Sequence, residues 1–236
     1  MRRRLERNRT LLIIPAYNEE ETIRELVQRG KKYVDVCVID DHSKDKTPQI
    51  LRDIDDIHII THEVNTHIPG AVLDGMQYAV VQNYDYAITM DAGLSHNPDE
   101  IPKFLEAPTC DLIIGVRTQK LKTPLYRKIL SFIGNLIYNI SLDFPRSLFK
   151  KRYYRDITSG FRRYSQQAMK RIIGYPMKSR SFDFLVESTA VVYQNHLAIE
   201  EVPITYRFTN SSLRPQVIKD CLRMCLKLIF LRSKND

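Results

Sequence analysis

The sequence predicts an α/β fold, with a mostly parallel sheet flanked by helices on both faces. Short apolar segments alternate with amphipathic segments through the first half of the 236 residues. The strand-like segments are continuously apolar, which is typical of strands covered on both faces. A hydrophobic content of 43% suffices for one large domain, and a charged fraction of 27% without low-complexity tracts argues against disorder.

The predicted elements follow one another in strand–helix order. The first-half strands are residues 11–14, 36–39, 57–60, 86–90 and 112–114, and the helices between them are 19–30, 47–54, 70–81 and 98–105. The second half adds a helix over 124–141, a turn at 156–162 that enters a short strand, a helix over 182–194, a strand over 199–208 and a helix over 216–231. Pro203 favours an edge position or a bulge for the last strand, because proline cannot donate a ladder hydrogen bond.

Acidic residues follow two of the predicted strands. Asp40 and Asp41 end the second strand, and Asp91 ends the fourth. Ligands of α/β folds bind at the carboxyl ends of the strands, so these acids are candidate binding residues. Asp also caps helices, but a cap uses only one acid of the pair 40–41 and leaves the other to be explained.

The segment Asp91–His96 contains one half of a carboxylate metal site. A second acid two residues after Asp91 would make a hard oxygen site for Mg²⁺ or Mn²⁺ beside a diphosphate, but Gly93 occupies that position. An ordinary strand-to-helix turn explains the segment equally well. Taken alone, the segment leaves both interpretations open.

The net charge of +8 is concentrated in two segments. Residues 1–9 contain five arginines and one acid. Residues 144–163 contain one acid and the cations Arg146, Lys150, Lys151, Arg152, Arg155, Arg162 and Arg163. Such patches attract phosphate groups, although a solvated loop explains residues 1–9 at least as well. No zinc finger or RNA-recognition aromatic pair is found, so no nucleic-acid partner is expected.

Cysteine spacing and hydropathy predict a cytoplasmic chain. The four cysteines have no zinc or disulfide spacing, and Cys37 lies in an apolar strand segment. Residues 1–9 do not lead into an apolar segment as a secretory signal would. No run approaches the ~20 apolar residues that are needed to span a bilayer.

Two predicted helices carry polar stripes on otherwise apolar surfaces. The stripe of the helix over 124–141 consists of Arg127, Ser131, Asn135 and Asn139, and that of the helix over 216–231 consists of Lys219, Arg223 and Lys227. The first stripe is typical of a solvated outer face, but the wide apolar surface also fits a helix on a membrane or over a lipid-filled groove. The last helix either contacts a membrane surface or packs on the domain.

Six ordered motifs resemble those of family 2 glycosyltransferases of the GT-A fold. They are Ile14–Glu20, Ile39–Thr47, Met90–Pro98, Gly115–Arg117, Thr158–Arg162 and Glu201–Ile204. The resemblance covers roughly residues 10–208 and is closest to the polyprenyl (dolichyl) phosphate mannose synthase group. It implies an inverting hexosyltransferase, with mannose as the first choice of sugar.

The resemblance also implies the donor-binding and catalytic residues. Its donor-binding positions are Pro15, Tyr17, Glu19, Asp40, Asp41 and Asp91, and its catalytic positions are Asp91, Arg117 and Arg127. Asp91 matches the first metal acid, and Ser95 is a further position that can approach a Mg²⁺ or Mn²⁺ ion. The implied donor is a nucleotide-sugar, GDP-mannose first and a UDP-sugar second.

The sequence departs from the family pattern in three places. His42 stands where the family often has glycine, and residues 65–70 lack glycines that are often found near the start of the third helix. Gly93 replaces the second metal acid, which makes the metal site poorer in charge than the family pattern. His96 is a poor Mg²⁺ ligand, and a loop or core role is expected for it.

The acceptor implied by the resemblance is a polyprenyl phosphate. Arg117, Arg127 and Ser131 match the family's cluster around the acceptor phosphate. Arg127 and Ser131 share a helical face, and a guanidinium group can hold a phosphate through two hydrogen bonds. The chain is therefore expected at the cytoplasmic face of a membrane as a peripheral protein, held either by its own helices or by a separate membrane-anchoring partner.

The implied organisation is one catalytic domain with two short extensions. Residues 1–9 form a basic tail, residues 10–213 form the GT-A domain with a nucleotide-sugar half (10–117) and an acceptor half (118–213), and residues 214–236 form a basic amphipathic helix.

Two alternative functions remain open. One is a soluble glycosyltransferase that acts on a sugar hydroxyl in glycan synthesis. It would need a carboxylate base, for which Asp156, Asp183 and Glu187 are candidates. The other is a non-catalytic GT-A-like nucleotide-binding subunit, which the loss of an acid at Gly93 favours.

Overall fold

The computed structural model describes residues 9–121, 125–142, 153–207 and 215–232. Within these ranges one seven-stranded sheet extends through both halves of the chain. Its strands are β1 (Thr10–Ala16), β2 (Asp35–Asp40), β3 (His58–Thr61), β4 (Tyr86–Thr89), β5 (Leu112–Leu121), β6 (Arg162–Ser165) and β7 (Ile199–Arg207). The helices are α1 (Ile23–Gly30), α2 (Thr47–Arg52), α3 (His67–Val81), α4 (Ile101–Glu106), α5 (Leu125–Leu142), α6 (Gln166–Ile173), α7 (Phe184–Gln194) and α8 (Pro215–Arg232).

The strands lie in the order β3-β2-β1-β4-β6-β5-β7, and only β6 is antiparallel to its neighbours. The other six strands point in one direction, so their carboxyl ends form one edge of the sheet, which we call the site edge. Because β6 runs the opposite way, the residues that precede β6 also lie at the site edge. The predicted α/β fold with a mostly parallel sheet is confirmed.

Alternating side chains of β1 show how both faces of the sheet are covered. Leu11 and Ile13 belong to one buried cluster, and Leu12 and Ile14 belong to another on the opposite face. Side chains from α3, α6 and α7 complete the first cluster, whereas α1, α2 and α4 complete the second. A third cluster joins α5, α7 and α8 through buried residues such as Tyr138.

The structure differs from the predicted elements mainly at their ends. Helix α1 begins at Ile23 because residues 19–22 form a turn in which the Glu19 carbonyl accepts the Thr22 amide. The helix predicted from Pro98 starts as a single 3₁₀ turn. Helix α6 was not predicted, since it has only eight residues and follows β6 directly. Strand β7, which contains Pro203, is an edge strand as predicted.

Helix α8 packs on the domain with one face. Cys221 and Cys225 are buried in the third cluster as free thiols, whereas Leu222 and Leu226 are exposed. No helix in the described ranges is both long and apolar enough to cross a membrane.

Candidate active site

The loops that follow β1 and β2 are tied together at the site edge. The Asn18 side chain accepts the Lys44 amide at 2.7 Å, and the Asn18 amide donates to the Ser43 hydroxyl at 3.0 Å. Asn18 has a positive φ of 56°, a conformation that asparagine tolerates better than most residues. The Glu19 amide donates to the Thr47 hydroxyl at 2.8 Å. These bonds bring the predicted donor segment 15–19 against the acids that follow β2.

Asp40 and Asp41 are both buried but have different partners. Asp40 accepts the Ser43 amide at 3.0 Å and so fixes its own turn. Asp41 accepts the Thr66 amide at 2.7 Å, the Thr66 hydroxyl at 2.9 Å and Nδ1 of His62 at 2.8 Å, all through Oδ1. Neither acid caps α2, so the capping alternative is wrong for both. Among the described residues, no hydrogen bond is made to the other carboxylate oxygen of Asp41.

His62 was not identified from the sequence. It lies just after β3, and its two ring nitrogens are 2.8 Å from an oxygen of Asp41 and 3.0 Å from an oxygen of Asp74. Its position two residues after the predicted strand 57–60 was the available signal, because parallel strands end at the same edge.

Asp91 stands at the site edge after β4, and its carboxylate lies close to Gly160. A Cβ atom added to Gly160 would lie 2.7 Å from Oδ1 of Asp91, so a larger residue there would displace this carboxylate. The Thr89 hydroxyl donates to the Gly160 carbonyl at 2.8 Å and fastens the two segments. Gly160 reaches Asp91 because it precedes the antiparallel strand β6.

Gly93 borders open space. A Cβ atom there would meet only the Glu19 carboxylate, at 3.9 Å. Burial raises the pKa of Glu19, against a hydrogen bond from Thr22, and the negative charge of Asp91 raises it further. The Glu19 carboxylate therefore lies next to the position that a second metal acid would fill. Ser95 accepts the Arg207 amide through its backbone carbonyl at 2.9 Å.

His96 is a buried residue between two aromatic rings. Its ring lies 5.6 Å from that of Phe161 and 5.5 Å from that of Tyr206, so the expected core role is consistent with its packing. Nδ1 is 3.7 Å from an oxygen of Asp91, which is too long for a hydrogen bond. Burial lowers the pKa of His96 and keeps the ring neutral, although the Asp91 charge opposes this shift.

The donor set around Asp91 fits a divalent cation that a diphosphate also holds. Within the described ranges, no three or more His, Cys, Asp and Glu side chains are grouped so that they could hold a metal ion by themselves. Asp91 is partly exposed and Glu19 is nearby, which suits Mg²⁺ because that ion keeps several waters and shares phosphate oxygens.

Arg117 lies at the site edge near Asp91 and His96. Its Nε and Nη2 groups donate to Asp156 at 2.7 and 2.6 Å, and Nη2 also donates to the Thr158 hydroxyl at 2.6 Å. Burial disfavours the charge, but the carboxylate of Asp156 outweighs it and raises the pKa of Arg117. The guanidinium group is thus fixed and positively charged, and its Nη1 group makes no hydrogen bond within the described part of the chain.

Two residues of the polar stripe of α5, Asn135 and Asn139, bind the protein rather than solvent. The Asn135 side chain accepts the Ile157 amide at 2.9 Å and donates to the Tyr154 carbonyl at 2.7 Å, and Asn139 accepts the Tyr154 amide at 2.7 Å. The solvated-face interpretation is therefore wrong for these two asparagines. Ser131, one turn earlier, is partly exposed, and Arg127 lies in α5 with its side chain outside the described part of the structure.

The apolar face of α5 is exposed instead. Five large side chains have between 44% and 72% of their surface accessible: Leu125, Ile129, Phe132, Ile133 and Leu136. Contiguous exposed apolar surface of this kind usually marks an interaction site.

The basic segment 144–163 does not form one exposed patch. Arg162 and Arg163 are buried, and they donate to backbone carbonyls such as those of Leu185 and Pro108. Arg155 is exposed, and the other four cations lie outside the described ranges. The prediction of a phosphate-attracting patch is wrong for the two buried arginines.

The three carboxylates considered as general bases are already engaged. Asp156 is bound by Arg117, as described above. Asp183 accepts the amides of Arg180 and Ser181 at 3.0 and 2.7 Å. Glu187 accepts the amides of residues 178 and 179 at 3.0 and 2.8 Å. All three acids are buried.

Sequence comparison identifies relatives over most of the chain. An undecaprenyl-phosphate mannosyltransferase of Micrococcus luteus is 32% identical over 210 residues, which cover 84% of this chain and 83% of the relative. A UDP-N-acetylglucosamine–dolichyl-phosphate N-acetylglucosaminyltransferase of Methanococcus voltae is 29% identical over 220 residues, 86% of this chain and 87% of the relative.

Solved structures share the fold at low sequence identity. Glucosyl-3-phosphoglycerate synthase of Mycobacterium tuberculosis, crystallised with Mn²⁺, UDP-glucose and phosphoglyceric acid, matches with a TM-score of 0.69 and 15% identity. The match covers 95% of this chain and 79% of that one, and it shows the GT-A fold. The model of the family described as glycosyl transferase family 2 matches residues 11–173. That match extends from β1 to the end of α6, which is most of the chain. The chain therefore belongs to glycosyl transferase family 2 and is a glycosyltransferase.

Proposed function

We propose that the protein transfers a hexose, mannose in the first instance, from a nucleotide-diphosphate sugar to a polyprenyl phosphate with inversion at the anomeric carbon. The observation that carries this proposal is the engagement of Asp156, Asp183 and Glu187 by Arg117 and backbone amides. A sugar hydroxyl acceptor needs a carboxylate base, whereas a phosphate acceptor is already anionic near neutral pH. The relatives named for polyprenyl-phosphate transfer support the same acceptor.

The donor nucleoside is proposed to bind between the loops that follow β1 and β2. Pro15 and Tyr17 lie on one side of this position, and Asp40 and Asp41 lie on the other. Tyr17 has 47% of its surface exposed, which leaves its ring available for contact with a base or ribose. The free oxygen of Asp41 can accept a hydrogen bond from a ribose hydroxyl or a base amine. GDP-mannose is the first candidate donor and a UDP-sugar the second.

The diphosphate is proposed to lie against Asp91, with Glu19 and Ser95 close by. Asp91 would hold a divalent cation there, Mg²⁺ or Mn²⁺, which would supply positive charge to stabilise the departing nucleoside diphosphate. Arg117 contributes a second, fixed positive charge through Nη1, which needs no reorganisation during the reaction. An oxygen of the acceptor phosphate forms the new bond to the anomeric carbon while the bond to the diphosphate breaks on the opposite side.

The acceptor is proposed to approach along α5. Arg127, Ser131 and Asn135 follow one another at intervals of four residues, so all three belong to one stripe of the helix. The exposed apolar face of α5 suits contact with acyl chains at a membrane interface. We therefore place the protein peripherally on the cytoplasmic face of a membrane, with or without a separate anchoring partner, and we assign the donor to residues 10–117 and the acceptor to 118–213.

A transfer assay tests the proposal. The protein is incubated with a short-chain polyprenyl phosphate and GDP-mannose, UDP-glucose or UDP-N-acetylglucosamine, with Mg²⁺, Mn²⁺ or a chelator, and the lipid products are identified by mass spectrometry. Asp91→Ala should abolish product, whereas Glu106→Ala, an exposed acid at the end of α4, should retain it. A native protein that forms no glycolipid under any condition contradicts the lipid acceptor.

Two further measurements address the alternative functions. Transfer to a sugar hydroxyl in place of the lipid would favour the soluble glycosyltransferase. Calorimetry with GDP and UDP in the presence of Mn²⁺ addresses the non-catalytic subunit, because a degenerate donor site should bind neither nucleotide tightly.

A further inference from the structure

A cavity of about 270 Å³ lies between α8 and the segment that precedes α7. Four cations line it, Lys178 and Arg180 from the segment and Arg223 and Lys227 from α8. Two acids, Asp183 and Asp220, also line it, so cations outnumber acids two to one. We call this the basic cavity. It shares no residue with the site around Asp91 and Arg117.

The segment that precedes α7 is held so that its two cations point outward. Its amides at residues 178–181 all donate to the buried carboxylates of Glu187 and Asp183, at distances between 2.7 and 3.0 Å. The backbone is therefore fixed against the start of α7, while the side chains of Lys178 and Arg180 are exposed. The same bonds hold the Asp183 carboxylate in the wall of the cavity.

The four cations exceed the two acids of the cavity and are not held in ion pairs with them. In the part of the chain that the structure describes, no carboxylate forms an ion pair with Lys178, Arg180, Arg223 or Lys227. Holding like charges around one cavity costs electrostatic free energy unless an anion occupies it. The cavity has room for a phosphate group and several waters, each of which takes about 30 Å³ in the liquid.

We propose that the basic cavity is a second anion site that binds a phosphate group. The phosphate can belong to a phospholipid headgroup or to a small soluble phosphate compound. Lysine and arginine suit either source, because both donate charge-assisted hydrogen bonds to phosphate oxygens. On α8 the exposed Leu222 and Leu226 directly precede Arg223 and Lys227, an arrangement that suits a headgroup at a membrane surface.

Vesicle binding and phosphate titration test the proposal and separate the two sources. The full chain is sedimented with phosphatidylcholine vesicles, with and without phosphatidylglycerol, and is titrated separately with inorganic phosphate by NMR. The double variant R223A/K227A should weaken the observed binding by roughly tenfold or more, since each cation near an anionic surface contributes about 1 kcal/mol. Arg223→Lys with native Lys227 should restore most of it.

The matched control removes the same charge elsewhere. Lys170 and Arg171 are exposed cations on α6, and K170A/R171A should change binding less than about twofold. Vesicle binding without phosphate binding identifies a headgroup site, and phosphate binding alone identifies a site for a soluble compound. Equal losses in the two double variants, or a native protein that binds neither probe, overturn the proposal. The proposed site does not rest on the transferase function. Transfer to a detergent-solubilised acceptor should therefore be unchanged in R223A/K227A.

Discussion

Arg117 and Asp156 form a two-point ion pair in which Nε and Nη2 donate to the two carboxylate oxygens at 2.7 and 2.6 Å. The pair joins β5 to the segment that precedes β6, although the two residues are 39 positions apart. It thereby positions the only arginine of the predicted acceptor cluster whose side chain the structure describes.

Replacing Asp156 with Asn should destabilise the protein by about 3 kcal/mol, because it leaves the buried charge of Arg117 without its counter-charge. Urea unfolding measures the loss. The matched control is Asp99→Asn, which breaks the more exposed pair between Asp99 and Arg29 and should cost less than about 1 kcal/mol. Equal costs for the two variants would show that the buried pair contributes no more than a surface pair.

Gly160→Ala should abolish transfer while leaving the fold intact. The added methyl group would lie 2.7 Å from the Asp91 carboxylate, so that carboxylate must move. The assay is glycolipid formation, with circular dichroism to verify folding. Gly93→Ala is the control, since a methyl group there meets only Glu19 at 3.9 Å and should leave activity within about twofold. Full activity in Gly160→Ala would exclude a role for the exact placement of Asp91.

Gly93→Asp should tighten metal binding by about tenfold or more, because a second carboxylate would enter open space beside Asp91. Mn²⁺ binding, followed by electron paramagnetic resonance with and without GDP, measures this directly. Gly93→Asn has nearly the same shape without the charge and should give a much smaller change. If Asp and Asn behave alike, the cation does not bind next to residue 93.

The free energy of unfolding of Asp45→Asn should depend less on pH than that of the native protein. Burial tends to raise the pKa of Asp45, but hydrogen bonds from the Thr47 hydroxyl and amide and from the Glu20 amide outweigh it, so the pKa lies below its ordinary value of 3.8. The ionised form therefore stabilises the fold above pH 3.8, and this contribution is lost as the pH falls below that value.

Because Asp45 is partly exposed, the free energy of unfolding of the native protein should exceed that of Asp45→Asn by less than about 1 kcal/mol at neutral pH. Urea unfolding at neutral and acid pH should show this difference shrinking in acid. A difference that grows on acidification would contradict the prediction.

The sequence predicted the sheet well because continuous apolar segments such as 11–14 and 36–39 indicate buried strands irrespective of their partners. It also placed Asp41 and Asp91 at the site edge, since both follow such strands. It did not predict the direction of β6, because four residues with two arginines carry no signal of an antiparallel position. Contacts that depend on this direction, such as Gly160 with Asp91, were therefore not predictable.

The hydrogen-bond partners of polar side chains were predicted less well than the positions of those residues in the helices and strands. The stripe on α5 has the same periodicity whether it faces solvent or protein, and only tertiary structure shows that Asn135 and Asn139 bind the segment at Tyr154. Similarly, Arg162 and Arg163 were counted as surface charge because burial of arginine requires carbonyl acceptors that are remote in sequence.

The reversed strand β6 also has a consequence for how activity arises during synthesis. The contact that completes the Asp91 site joins Thr89 to Gly160 across 71 residues, and contacts of such separation form slowly because a long loop must close first. The residues proposed to bind the nucleoside, between Pro15 and Asp41, all precede α4 and are synthesised first. The contact between Thr89 and Gly160 must await residue 160, so catalytic competence should appear late in translation rather than in proportion to the length of chain made.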